Sequence, residues 1–161
     1  SAKYERRGRD HRLAADCNVV RQRREQQGAG EKGAVQDSDA ARIVVSSAGN
    51  VGIIGYCWGG SLSWRMACKS NDLFASVCYY GGDIPRLKTL EPKCSVLAHF
   101  AELDQGIPID NVEVFKSINP EVLTYTYPAD HGFNCDHRKQ FNEVSAKVAL
   151  DRTLKFLKNN L

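Results

Sequence analysis

The chain has 161 residues, of which 42% are hydrophobic and 25% charged, a composition typical of one soluble globular domain with its own core. It contains no run of about 18 apolar residues, so we expect no membrane-spanning helix and no membrane partner. The opening residues, "SAKYERRGRDHR", lack the apolar segment of a signal peptide. We therefore expect a cytoplasmic protein whose six cysteines are reduced thiols.

The positive charge is concentrated in residues 1–33, which hold nine Lys/Arg against five Asp/Glu, whereas the remainder holds thirteen against fourteen. This segment ends in the linker-like "GAGEKG". It has neither interleaved aromatic residues nor a known binding module, so nucleic acid is not expected as a partner. We expect residues 1–33 to form a poorly ordered basic tail or a loosely docked helix, and residues 34–161 to form the folded domain.

Beyond this segment, helix and strand patterns alternate. Residues 37–49 are predicted to form a helix because cap-type residues open it and Gly49 closes it. The apolar run "VGIIGY" (51–56) is typical of a buried strand. There follow a helix over 59–70, strands over 74–80 and 94–100, a helix opened by Pro108, a strand over 121–127, and a terminal helix with apolar Val144, Val148, Leu150, Leu154, Phe156 and Leu157. This order predicts an α/β fold in which helices cover a mostly parallel sheet.

Chemically active side chains follow three of these strands. Cys57 follows the first strand of the alternating part, Asp104 the third and His131 the fourth, so a thiol, a carboxylate and an imidazole should converge on one sheet edge. "GYCWG" is the nucleophile-elbow pattern with cysteine in place of serine. The elbow places Cys57 at a helix N-terminus, which favours the thiolate, and the N–H of Trp58 can donate to an oxyanion.

Other interpretations of these residues are weaker. Glu102 competes with Asp104 for the role of the acid, and Asp104 is preferred. Residues 135–137 are Cys-Asp-His, but they crowd onto one loop without metal-ligand spacing, so no metal is expected. The glycines around Cys57 do not match the dinucleotide fingerprint. A glutamine amidotransferase is disfavoured for two reasons. Ser61 stands where that class usually has a glutamine, and "HGF" stands where it has His-x-Glu.

Four motifs together resemble the dienelactone hydrolase family over roughly residues 35–161: "VGIIGYCWGG", "YYGG", "HFAELDQGIP" and "YPADHGFNCD". The resemblance implies an α/β-hydrolase-type fold with Cys57 as nucleophile, Asp104 as orienting acid and His131 as base. It implies hydrolysis of a small lactone or ester, such as a dienelactone, through an acyl-cysteine and without metal or organic cofactor. Tyr80 is expected to line the substrate pocket.

Two features depart from that family. Its N-terminal third, which supplies early strands and a second oxyanion N–H, is not recognisable, so we expect a sheet truncated on that side. Strand 51–56 would then be an open apolar edge, which predicts self-association, cover by a partner, or cover by the chain's own N-terminal segment. The family also has an arginine shortly after the histidine, whereas here Cys135 is four residues after His131 and the nearest arginine is Arg138. The alternative function is an inactive, truncated remnant or a binding module of the same fold.

Overall fold

The computed structural model describes residues 50–161 in full and, before them, the backbone of three short strands. Five strands form one sheet in the order β1-β4-β5-β6-β7, in which β4 to β7 are parallel and β1 is antiparallel to β4. These strands are β1 (Cys17–Arg21), β4 (Val51–Tyr56), β5 (Leu73–Tyr79), β6 (Ser95–Ala101) and β7 (Leu123–Tyr127). Two further strands, β2 (Gly33–Val35) and β3 (Ile43–Val45), pair antiparallel with each other.

Each parallel strand is followed by a helix; the helices between strands form the crossover connections that such sheets require, whereas the last helix follows the last strand. These helices are α1 (Trp58–Lys69) after β4, α2 (Ile109–Ile118) after β6 and α3 (Glu143–Asn160) after β7, with a short 3-10 helix (Ile84–Leu87) between β5 and β6. The side chain of Asn142 caps α3 by accepting a hydrogen bond from the N–H of Ser145 (2.9 Å). Among the residues described, no helix is long and apolar enough to cross a membrane.

Helices pack on both faces of the sheet because side chains alternate along each strand. On β5, the Ser76 hydroxyl donates to the carbonyl of Ser63 in α1 (3.0 Å), whereas the Tyr79 hydroxyl bonds to Thr153 of α3 (2.7 Å). The two contacts lie on opposite faces, since residues 76 and 79 differ by an odd number. The parallel sheet is therefore covered on both sides, as the alternation of elements predicts.

The buried face of α3 differs from the one that its apolar residues suggest. Val144, Val148, Leu150 and Leu154 are all exposed, Val144 by 75%. The face that packs on the sheet instead contains small and polar side chains at helical spacing, followed by two large apolar ones: Ser145, Ala149, Thr153, Phe156 and Leu157. Small residues let the helix lie close to the sheet, and Thr153 contributes hydrogen bonds there.

Two predictions for the N-terminal part are wrong. Residues 43–45 form strand β3 rather than helix, which suits three consecutive β-branched side chains; the rest of the helix predicted over 37–49 lies outside the described residues. Strand β1 lies inside residues 1–33, where no strand is predicted, and it pairs with β4 along its whole length. The edge of β4 is thus covered by the chain's own N-terminal segment, and self-association stays an untested prediction.

Candidate active site

The carboxyl ends of β4, β6 and β7 lie at one edge of the sheet because these strands run parallel. Cys57 directly follows β4, Asp104 comes three residues after β6 and His131 four residues after β7. The three predicted residues therefore enter the same region from three different strands.

Cys57 sits on a sharp turn between β4 and α1. Its backbone has φ 56° and ψ −120°, in a region that non-glycine residues rarely adopt. The turn is tight: a Cβ on Gly55 would collide with the carbonyl oxygen of Gly59, and one on Gly60 with that of Tyr79. The glycines at these two positions are thus required by the close approach of β4, α1 and the end of β5.

The three side chains form a continuous hydrogen-bonded chain. His131 Nε2 lies 3.2 Å from the sulfur of Cys57, and His131 Nδ1 lies 2.6 Å from Oδ2 of Asp104. The other carboxylate oxygen of Asp104 accepts hydrogen bonds from the N–H groups of Gly106 (2.9 Å) and Ile107 (3.2 Å). Asp104 is almost fully buried and fixed at both oxygens, so it can hold the imidazole in one orientation.

The hydrogen bond between Cys57 and His131 shifts both pKa values in the direction of an ion pair. The pKa of the Cys57 thiol is lowered, chiefly by the hydrogen bond from His131, although burial acts the other way. The pKa of His131 is raised to about 9, first by its hydrogen bond to Cys57 and, after the opposing effect of burial, by Asp104. Both shifts favour the pair of a Cys57 thiolate and a His131 imidazolium.

The N-terminus of α1 adds a donor beside the sulfur. The backbone N–H of Trp58 hydrogen-bonds toward Cys57 and contributes to the lowered pKa of its thiol. Trp58 itself is 45% exposed. Donors at a helix N-terminus stabilise negative charge, either on the sulfur or on an oxygen bound next to it.

The remaining candidates occupy different environments. Glu102 is exposed, while Asp104 is 4% exposed and is the carboxylate that contacts His131. His137 is 92% exposed and pairs only loosely with Asp136. Over the fully described residues, 50–161, no three His, Cys, Asp or Glu side chains group in a way that could hold a metal ion.

A buried polar network beneath the site has no obvious sequence signal. His99, fully buried in β6, bonds to the hydroxyl of Tyr127 through Nδ1 (2.8 Å) and to that of Thr153 through Nε2 (3.0 Å). Thr153 also bonds to Tyr79, whose carbonyl oxygen accepts the N–H of Cys57 (3.0 Å). The network connects β5, β6, β7 and α3 directly under the carboxyl edge.

A cavity in the described part of the chain lies away from this site. It measures about 360 Å³ and is lined by residues 88–92 together with Ile118, Asn119 and Glu121. These residues precede β6 and β7, so the cavity lies at the amino ends of the strands, away from Cys57.

Comparison with known proteins extends the motif-based resemblance. A family model described as the dienelactone hydrolase family matches residues 2–161, so the match begins well before residue 35. The chain belongs to the dienelactone hydrolase family.

The relatives of this chain in the dienelactone hydrolase family are longer than the chain itself. A provisionally named carboxymethylenebutenolidase of Salmonella typhi is 31% identical in a 119-residue alignment, which covers 65% of this chain and 44% of the relative. Carboxymethylenebutenolidase 1 of Cupriavidus pinatubonensis is 27% identical over 122 residues, covering 73% of this chain and 52% of that protein. The chain thus spans about half the length of the curated relatives it matches.

Solved structures confirm the predicted α/β-hydrolase-type fold. The crystal structure of a provisionally named dienelactone hydrolase from Klebsiella pneumoniae matches with a TM-score of 0.58 and 31% identity, over 65% of this chain and 50% of that one. An esterase of Pyrococcus furiosus matches with a TM-score of 0.51 and 13% identity, over 67% and 53% of the two chains, and shows the fold alone.

In this dienelactone hydrolase family member, Arg138 is seven residues after His131, yet its side chain folds back over the histidine loop. A Cβ on Gly132, whose φ is 82°, would lie 3.2 Å from Cδ of Arg138 and 3.4 Å from its Nη1. The charge of Arg138 is also a minor cause of the lowered pKa of Cys57. The loop therefore brings a cation toward the thiol.

Proposed function

We propose that this chain is a cysteine hydrolase of small esters or lactones, with Cys57 as nucleophile, His131 as base and acid, and Asp104 as the residue that orients the imidazole. The observation that carries the proposal is the pair of contacts of His131, 3.2 Å to the sulfur and 2.6 Å to the carboxylate. A nucleophile bonded to a base that is itself oriented by a third group is the general arrangement of nucleophilic catalysis.

In the acylation step, the Cys57 thiolate attacks the carbonyl carbon of the substrate, and the carbonyl π electrons move onto the oxygen. The N–H of Trp58 is positioned to donate to that oxyanion. When the tetrahedral intermediate collapses, the bond to the leaving oxygen breaks and His131 gives that oxygen its proton. The products are an acyl-cysteine and an alcohol, or a single acyl-enzyme that retains both halves when the substrate is a lactone.

In the deacylation step, the neutral His131 removes a proton from water, which attacks the thioester carbonyl. The sulfur leaves as thiolate and again forms a pair with the protonated imidazole. In both steps Asp104 holds the His131 ring and stabilises the imidazolium. The relatives are named carboxymethylenebutenolidases, that is, enzymes that act on a lactone. These names support small lactones as the substrate class.

The test is turnover of p-nitrophenyl acetate by the wild type, by Cys57→Ala and by the control Cys68→Ala. Both cysteines lie at α1, but burial raises the pKa of Cys68 to about 11, and we expect it to play no part. Turnover should disappear in Cys57→Ala and persist in Cys68→Ala. Mass spectrometry of the acid-quenched wild type should find one acetyl group, on the peptide that contains Cys57.

The alternative of an inactive or binding-only protein predicts a different result. Iodoacetamide would still alkylate Cys57 faster than Cys68 and Cys94, since burial raises the pKa of Cys94 to about 11 as well. No acetyl-enzyme would form, however, and p-nitrophenyl acetate would be hydrolysed at the background rate. That combination would overturn the proposed hydrolase and leave only the fold.

A further inference from the structure

Tyr80 adopts a backbone conformation that is unusual for a bulky side chain. Its φ is 37°, and in the described part of the chain Cys57 is the only other non-glycine residue with positive φ. Conformations of this kind cost about 1–3 kcal/mol and persist where the surrounding structure imposes them, often at functional sites. The second strained residue thus directly follows β5, next to the elbow.

Several contacts hold this turn against the nucleophile. The N–H of Tyr80 donates to the carbonyl oxygen of His99 (2.7 Å), and the carbonyl oxygen of Tyr79 accepts the N–H of Cys57 (3.0 Å). A Cβ on Gly81 would lie 2.6 Å from the backbone nitrogen of Ser61, in the first turn of α1. The turn that carries Tyr80 and the turn that carries Cys57 are therefore packed directly against each other.

The ring of Tyr80 is buried beside the catalytic candidates. It is 3% exposed, and its centroid lies 5.1 Å from that of His131 and 5.4 Å from that of Phe133. The ring of Tyr80 therefore packs beside the imidazole of His131, whose side chain is 30% exposed.

Within the described residues the Tyr80 hydroxyl is not one of the fully buried polar atoms left without a partner, so it is open to solvent or to a bound molecule, whereas the hydroxyl of its neighbour Tyr79 bonds to Thr153 inside the fold. Burial raises the pKa of Tyr80, and the nearby phenol of Tyr56 and the sulfurs of Cys135 and Cys57 raise it further. Tyr80 is therefore a neutral hydrogen-bond donor at any working pH, on a turn that packs against the turn of Cys57.

We propose that the Tyr80 hydroxyl donates a hydrogen bond to the substrate oxygen that becomes negative when Cys57 attacks, and so complements the N–H of Trp58. This role of Tyr80 rests on the proposed function. As the sulfur–carbon bond forms, the carbonyl π electrons move onto this oxygen; Tyr80 keeps its proton, and the leaving alcohol takes its proton from His131. An oxyanion with two donors is stabilised more than one with a single donor.

The decisive variant is Tyr80→Phe, which keeps the ring and its packing but removes the hydroxyl. The rate of Cys57 acetylation by p-nitrophenyl acetate, measured as the burst of p-nitrophenol, should fall on the order of 10- to 100-fold. Alkylation by iodoacetamide creates no oxyanion, so its rate at Cys57 and its pH midpoint should match the wild type. Tyr125→Phe, a ring exchange away from Cys57, is the matched control and should acetylate at the wild-type rate.

The possible outcomes separate the two proposals. If Tyr80→Phe acetylates as fast as the wild type, the inference about Tyr80 is wrong while the proposed hydrolase stands. If alkylation slows as much as acetylation, Tyr80 acts on the thiol or its imidazole rather than on the oxyanion, and the inference is again overturned. If the wild type itself is not acetylated at Cys57, the proposed function fails and the inference with it.

Discussion

The fully buried His99 makes the stability of the fold sensitive to acid. Burial lowers the pKa of His99 to about 3 from an ordinary value of 6.5, and the charge of Arg152 acts in the same direction. Both ring nitrogens are engaged, with the hydroxyls of Tyr127 and Thr153. The folded protein therefore keeps this imidazole neutral under conditions where the unfolded chain protonates it.

The sign and size of the effect follow from this difference. Above pH 6.5 the imidazole is neutral in both states, and no stability is lost. Below that pH the unfolded chain takes up a proton that the folded chain refuses, so the free energy of unfolding falls until the folded pKa is reached. At about pH 5 the loss attributable to His99 is about 2 kcal/mol.

The assay is urea unfolding of the wild type and of His99→Gln at about pH 7 and pH 5, followed by tryptophan fluorescence. The amide of glutamine can bond to a hydroxyl but does not titrate, so the variant should be less stable at pH 7 yet lose about 2 kcal/mol less on acidification. His131 and the carboxylates are present in both proteins, and their contributions cancel in the comparison. Equal losses of stability on acidification in the two proteins would refute the reasoning.

Two further substitutions test the site and the network. Asp104→Asn should lower kcat for p-nitrophenyl acetate by about 10³- to 10⁴-fold with little change in KM, because the imidazole loses the carboxylate that fixes its tautomer. Stopped-flow measurement of the rate checks this prediction, and a loss of less than tenfold in kcat would contradict it. Thr153→Val should lower the free energy of unfolding by about 1–3 kcal/mol, because Tyr79 and His99 both lose a buried hydrogen-bond partner. Urea unfolding measures this loss, and a variant as stable as the wild type would contradict the prediction.

The parallel part of the sheet is predictable because its strands are short apolar runs bounded by turn residues. "VGIIGY" matches β4 residue for residue. The candidate catalytic residues are then predictable as the reactive side chains that come just after the carboxyl ends of such strands. Strand β1 is different: Val19 and Val20 are the only adjacent β-branched pair in a charged segment, and its pairing with β4 joins residues at least 30 positions apart. Local pattern contains no information about such a partner.

The inner polar network is unpredictable for a similar reason. His99 finds its partners 28 and 54 residues away, and the strain at Tyr80 arises only when the turn after β5 meets α1. A sequence can indicate that His99 lies inside a strand, but not which hydroxyls satisfy it. Three-dimensional packing decides both features.

Strand β5 lies between β4 and β6, so the attachment points of the sulfur and the carboxylate are two strand spacings apart, about 10 Å. Only the imidazole bridges that width, from a segment anchored beyond β6. The distance between the sulfur and the carboxylate is thus determined by the order of the strands in the sheet. The lengths of the connections at the opposite, amino-terminal edge of the sheet do not affect it. Those distant connections can be shortened, lengthened or exchanged by protein engineering while the bridge keeps its dimensions.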